Sequence, residues 1–357
     1  MKKILLFLTG GTICSVVGGD GFNNSDAQNA KTVLVQGYKD GDSKHKDCVI
    51  FENMFLTSDG VLSENMTVDK WNLIIKSLRS VDFSQYDGII MLHGTDTLAY
   101  TSALMSVLLA GTKIPVFIVS SNYILTDRRA NGNINFKVAA DLIARGVRPN
   151  VYVPYRNSDG KMYIHLASRI KQCEVYSENF YSAGAETVDD ISEPQIIGAV
   201  AAGENYINKI EKICPDVLII FPYVSLDYSK ISIDGCRAVL HSTYHSQTVC
   251  VERYKRGEKF TDFSVLTLKD KCDKLGIPLF LFGCSEKSFS YSSTGDLYLR
   301  CGGNDLDKPE PQNAFIGIYG MTLETSYAKL LCGIALTDKR EELVEFVRKN
   351  INCEYFA

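Results

Sequence analysis

The run Ile4-Leu5-Leu6-Phe7-Leu8 constrains this chain more than any other stretch. Five consecutive apolar residues leave no polar face. The run therefore predicts a strand buried on both sides, as in a parallel sheet. It leads straight into Thr9-Gly10-Gly11-Thr12-Ile13, where two glycines permit a tight turn and a close backbone approach. Functional residues of open α/β sheets sit just past the carboxyl ends of such strands. The arrangement occurs twice, because Gly88-Ile89-Ile90-Met91-Leu92 leads into His93-Gly94-Thr95-Asp96-Thr97. Two strand ends, each presenting Gly followed by Thr, predict a pocket lined by two hydroxyls and a carboxylate. Taken singly, either turn also fits an ordinary helix cap.

The rest of the chain follows the same alternation. Thr67 is placed to cap a helix on which Trp71, Ile74, Ile75 and Leu78 share a face, leaving Ser63 and Glu64 in the loop before it. Residues 97–111 and 135–145 read as helices, and 116–119 as a strand opening onto Ser120-Ser121-Asn122. Residues 150–155 and 163–166 read as strands around an Asp159-Gly160 turn. The pattern restarts with strands at 217–221, 238–240 and 279–282 and helices at 262–275, 322–336 and 338–349. This predicts an α/β chain with a larger, doubly wound N-terminal domain and a smaller C-terminal α/β domain. The acidic stretch 186–193 followed by Pro194 marks the boundary. The expected division is 1–190, a linker at 191–210, and 211–357.

Composition removes several classes of function. A net charge of −4 leaves no basic patch of the size that nucleic-acid binding needs. The longest apolar runs are far below a membrane span, so no membrane partner is expected. The first run reads as a strand and not as a signal peptide. Eleven cysteines, with no Cys-x-x-Cys, suggest free, mostly buried thiols in a reducing cytoplasm, with Cys14, Cys214, Cys250, Cys284 and Cys332 in apolar surroundings. His241 and His245 could share a helix face, but no carboxylate stands at ligand spacing, and no metal is expected. Residues 14–25 are rich in Gly, Asn, Ser and Asp, which predicts a mobile loop: a lid beside Thr12, or a plain surface connection.

Together the two turns, Thr-Gly-Gly-Thr-Ile and His-Gly-Thr-Asp-Thr, resemble the bacterial L-asparaginase family, and its cytoplasmic type I branch in particular. The resemblance extends over most of the chain, with Met321-Thr322-Leu323-Glu324-Thr325 similar to a helix of that branch. It implies the two-domain asparaginase-like fold and an amidohydrolase that converts L-asparagine to L-aspartate and ammonia through an acyl-threonine. It implies no cofactor, and a dimer or tetramer whose sites are completed by a neighbour's second domain. Thr12 matches the nucleophile, and Thr95 and Asp96 match the second catalytic pair. Lys171, in Ser168-Arg169-Ile170-Lys171 with Phe180 downstream, matches the catalytic lysine. Ser63 matches a substrate-binding serine and Glu64 follows it; Gly11, Gly94 and Asp96 complete the implied substrate site.

The chemistry is coherent with those roles. A threonine hydroxyl is a poor nucleophile until a base takes its proton. Thr95, Lys171 and Asp96 would relay that proton as Ser-His-Asp does, which requires a neutral lysine. Asp96 and Glu64 would hold the substrate's ammonium, and Ser63 its carboxylate. Three departures bear on rate and substrate. Phe22 stands where the family lid has a tyrosine, with Tyr38 as another tyrosine that could fill the place. Residues 241–247, ending in Gln247, stand where the branch has a Gly-Asn turn. Asp305, Asp307 and Glu310 all compete for the acidic residue donated across the dimer. Three rivals remain. One is a glutaminase-leaning amidase. Another is the related archaeal component of a tRNA-dependent amidotransferase, which carries an extra N-terminal domain. The last is a small-amino-acid binding protein on the same fold.

Overall fold

The computed structural model describes residues 1–19, 23–58, 60–183, 203–253, 259–283 and 315–356. They group into two compact units, Met1–Ile213 with Asn350–Phe356, and Cys214–Lys349. Phe22, Cys284, Asp305, Asp307, Glu310 and most of the expected linker lie outside the described residues.

Among the described residues the main sheet of the first unit has six strands: β1 (Lys2–Leu8), β4 (Val49–Phe55), β5 (Gly88–Leu92), β6 (Val116–Val119), β7 (Val151–Arg156) and β8 (Met162–Leu166). Their order is β4-β1-β5-β6-β7-β8, parallel except for the β7–β8 hairpin. That hairpin turns at Gly160 as expected, with the Gly160 N–H donating to the Asn157 carbonyl at 3.0 Å. The apolar strands are apolar because both faces are covered. Ile4, Leu6, Leu8, Ile90, Leu92, Phe117 and Val119 pack on one side against α1 (Ala27–Asp40) and α4 (Gly132–Ala144). Leu5, Phe7, Ile89 and Met91 on the other face are equally buried. The expected helices are α2 (Val68–Arg79), capped by the Thr67 hydroxyl, and α3 (Leu98–Leu108). Trp71 Nε1 of α2 donates to Thr101 Oγ1 of α3 at 2.9 Å.

Two elements of this unit have a weak signature in the sequence. α1 buries only Ala27, Ala30, Leu34 and Tyr38, so its apolar stripe is narrow and its side chains small. β4 is an edge strand whose centre reads Glu52-Asn53, which hides the strand period. The loop expected at 14–25 is also more ordered at its flanks: β2 (Ser15–Val17) and β3 (Asn23–Ser25) pair antiparallel.

Among the described residues the second unit carries four parallel strands, β9 (Val217–Ile220), β10 (Ala238–Ser242), β11 (Leu279–Phe282) and β12 (Ile316–Ile318), in the order β12-β11-β10-β9. Its helices are α5 (Val265–Leu275), α6 (Leu323–Leu336) and α7 (Arg340–Arg348). The final residues depart from the expected 211–357 grouping. Ser168 Oγ donates to the Asn352 carbonyl at 2.8 Å, and the Arg169 guanidinium donates to the carbonyls of Cys353 and Tyr355. Residues 350–356 are thereby tied to the first unit. Among the described residues no helix is long and apolar enough to cross a membrane.

Candidate active site

Strand order locates the site before any side chain is considered. From β1 the chain moves to β4 on one side, then returns to place β5 on the other. Helical connections on opposite faces leave a crevice at such a reversal, at the carboxyl ends of the strands. Leu8 pairs with Leu92 and Leu92 with Val119, so β1, β5 and β6 end level. Their continuations are Thr9–Thr12, His93–Thr97 and Ser120–Asn122. In the second unit the order β9 to β12 runs one way, and the described strands offer no reversal.

The turns meet through glycine. Gly11 has φ 84° and ψ −177°, a conformation almost closed to residues with a side chain. A Cβ there would lie 2.2 Å from both the Cα and the N of Gly94. A Cβ on Gly94 would in turn lie 2.4 Å from Ser63 Oγ. The residue preceding Thr12, the residue preceding Thr95, and Ser63 therefore occupy one tightly packed spot. Val61 holds the Ser63 loop in place, donating its N–H to the Thr9 carbonyl and accepting from the Gly11 N–H, both at 2.8 Å. Thr12 and Thr95 are half-buried, and neither hydroxyl bonds to a described residue.

Ser63 is buried and organises the carboxylate. Its Oγ donates to Asp96 Oδ2 at 3.0 Å and accepts from the Asp96 N–H at 3.2 Å. Thr97 Oγ1 donates to the Ser63 carbonyl at 3.0 Å. The Ser63 hydroxyl has one proton, and here it points at Asp96. Binding a substrate carboxylate with that hydroxyl requires it to leave Asp96. Asp96 and Glu64 are both exposed at the rim.

A family model described as "Asparaginase, N-terminal" matches residues 3–197, more than half of the chain. The chain belongs to the asparaginase family. It is similar to L-asparaginase of Thermococcus kodakarensis, 28% identical over 194 residues, covering 54% of this chain and 52% of that protein. It is also similar to a glutamyl-tRNA(Gln) amidotransferase component of Methanosarcina barkeri, 26% identical over 174 residues, covering 48% of this chain and 39% of that protein. The match thus spans about half the length of the first relative and less of the second. Among solved structures, L-asparaginase I from Vibrio cholerae has the same fold, with a TM-score of 0.73 at 20% identity over 100% of this chain and 99% of that one.

Other asparaginase-motif positions fall as follows. The segment carrying Lys171 is pinned by Lys171 N–H to the Tyr181 carbonyl at 2.9 Å, with Phe180 buried against Tyr155. Gln172 Nε2 donates to the Asp96 carbonyl at 2.6 Å, which brings this segment to the second turn. The Lys171 side chain is exposed and pairs with no described group. The desolvated surroundings that the expected relay role would need are not supplied by the described residues. Tyr38 is not a substitute lid residue, since its hydroxyl donates to Asp141 of α4 at 2.9 Å within the core. Cys14, two residues past Thr12, is buried, and burial pushes its thiol up to about 12, so it stays protonated. His241 lies on β10 and not on a helix. It is bonded through Nε2 to the Tyr228 hydroxyl at 2.8 Å, and burial pulls it down to about 4.

Among the described residues, Cys48 and Cys250 are exposed, although Cys250 was expected in apolar surroundings, and Cys14, Cys272 and Cys332 are buried. No three described His, Cys, Asp or Glu side chains come together as metal ligands. Sequence reasoning passed over three residues at the asparaginase turns: His93, Ser120 and Gln172. Each acts on backbone atoms, for which sequence spacing carries no signal.

Proposed function

We propose that this chain is an amidohydrolase that hydrolyses L-asparagine to L-aspartate and ammonia, with Thr12 as the nucleophile. The observation that supports this reading is the Gly11–Gly94 contact, which packs together the residues preceding Thr12 and Thr95, two threonines whose hydroxyls bond to no described residue. Thr12 Oγ attacks the side-chain amide carbon of the substrate. Its proton passes through Thr95 and Lys171 to the departing ammonia, leaving an acyl ester on Thr12. Water then attacks the ester along the same path. The N–H groups of Thr12 and Thr95 stabilise the oxyanion, at roughly 3 kcal/mol per donor. Asp96, oriented by Ser63, holds the substrate's ammonium with Glu64.

Exposure of Lys171 supports a second element of the proposal. A proton-relaying lysine needs desolvation, and a second copy of the chain covering this edge would provide it. We take the active form to be a cytoplasmic dimer or tetramer, with the catalytic domain over 1–190 and a second domain over 211–357 joined by 191–210. The same exposure favours a second reading, in which the crevice binds a small amino acid without turnover.

Ammonia release from L-asparagine, L-glutamine and their D-isomers separates these readings. The wild type is expected to release ammonia from L-asparagine, and Thr12→Ala to lose it by at least about 10³-fold. Preference for L-glutamine would move the assignment to a glutaminase. Tight asparagine binding without release from any amide would establish the binding reading.

A further inference from the structure

His93 stands between β5 and the second threonine turn, fully buried, and no step of the proposed chemistry uses it. Its Nδ1 lies 2.8 Å from the Gly94 carbonyl oxygen. A carbonyl cannot donate, so Nδ1 carries the proton. The other ring nitrogen, Nε2, is buried with no hydrogen-bond partner among the described residues. Burial holds the ring neutral, pulling it down to about 4. A buried imidazole with one unsatisfied nitrogen is costly, so the single bond it makes has to account for its presence.

That bond fixes a peptide plane. The chain has no cis peptide among the described residues, so the Gly94 carbonyl and the Thr95 N–H point in opposite directions. The preceding plane is fixed as well, because Ser120 Oγ donates to the His93 carbonyl at 2.5 Å and Asn135 Nδ2 donates to the Ser120 carbonyl at 2.9 Å. That carbonyl faces β6, so the Gly94 N–H is turned to the other side, where Gly11 packs. Two successive planes are thus set from the protein interior. The Thr95 N–H has no partner among the described residues.

We propose that His93 is a positioning residue whose Nδ1–H holds the Gly94 carbonyl inward and thereby keeps the Thr95 N–H turned out as a preformed oxyanion donor. The proposal rests on the amidohydrolase reading for its kinetic consequence, but the peptide orientation can be measured without turnover. Without the clamp, the 94–95 peptide is free to rotate, since Gly94 tolerates both orientations. The donor would then have to be reorganised in each cycle, at a cost borne by the transition state and not by ground-state binding.

Three substitutions test this. His93→Asn places an amide N–H near the Nδ1 position, His93→Gln places one near Nε2, and His93→Leu removes both donors. Crystal structures should show the 94–95 peptide in its native orientation in His93→Asn and rotated or split in His93→Gln and His93→Leu. With asparagine, His93→Leu and His93→Gln should lose about 10- to 100-fold in kcat with KM changed less than about threefold, and His93→Asn should recover most of it. A native peptide orientation in a folded His93→Leu or His93→Gln variant would overturn the proposal. So would equal kcat losses in all three variants, the outcome of mere packing damage. If the wild type turns over no amide, the amidohydrolase reading fails, and the peptide orientation alone decides the role of His93.

Discussion

Lys171 is the residue on which turnover and mere binding part company. Its segment is brought to the Asp96 turn by Gln172, yet its side chain is exposed. If it relays the proton, Lys171→Met should lower kcat by about 10²- to 10⁴-fold, the usual range for a lost general acid–base. KM should change little. Steady-state ammonia release at saturating asparagine checks this, and near-normal turnover would make Lys171 an ordinary surface residue. Ser63 and Asp96 bond to each other, with the serine proton directed at the aspartate. Residue type announces a polar group at a site; only geometry says whom it addresses.

At the scale of elements, the site is an alignment of strand ends held by a glycine contact. Gly11→Ala should break it in two ways. The conformation at φ 84°, ψ −177° strains any side chain, and the new Cβ collides with the Gly94 backbone at 2.2 Å. Backbone strain and overpacking together should cost at least about 2 kcal/mol, and the separated turns should lose most activity. Gly146→Ala is the control. It also has positive φ, at 76°, but a Cβ there meets nothing within 4 Å. It should cost about 1–2 kcal/mol and leave kcat unchanged. Thermal melts and ammonia release on both variants measure the difference. Equal effects would mean that the Gly11–Gly94 contact is incidental.

For the whole molecule, acid should be destabilising well above the carboxylate range. His93, His165 and His241 are all buried, and burial pulls each down to about 4. In the unfolded chain each titrates near 6.5. Between those values the unfolded state binds protons that the native state refuses, so stability falls as pH falls from about 6.5 to 4. Each histidine contributes up to about 1.4 kcal/mol per pH unit in that window. Melting at about pH 5 should come at a lower temperature than at about pH 7.5, and an unchanged or higher Tm would contradict it. Assembly is the second test at this scale. Light scattering should show at least a dimer, and activity per chain should fall on dilution below the dimer's dissociation range. A fully active monomer would mean that Lys171 needs no neighbour to desolvate it.

What the sequence determined by itself was the framework around the turns. Uninterrupted apolar runs such as Ile4–Leu8 and Gly88–Leu92 cannot be strands of a half-wet sheet, so they announced a parallel sheet covered on both faces. Gly-Gly-Thr and Gly-Thr-Asp after those runs announced the candidate site. Helix α2 was legible from its cap and its periodicity; α1 and edge strand β4 were not, because small or polar side chains blur both periods. Tertiary structure alone decided that β1 and β5 are neighbours across a reversal of strand order, that Gly11 rests on Gly94, and that Ser63 faces Asp96. It also decided that residues 350–356 return to the first unit. The reason is physical. Local sequence encodes which faces must be buried, with periods of two and 3.6 residues. The meeting of turns some eighty residues apart, and the pinning of a peptide plane by His93, depend on which buried face meets which. Only the packed chain carries that information.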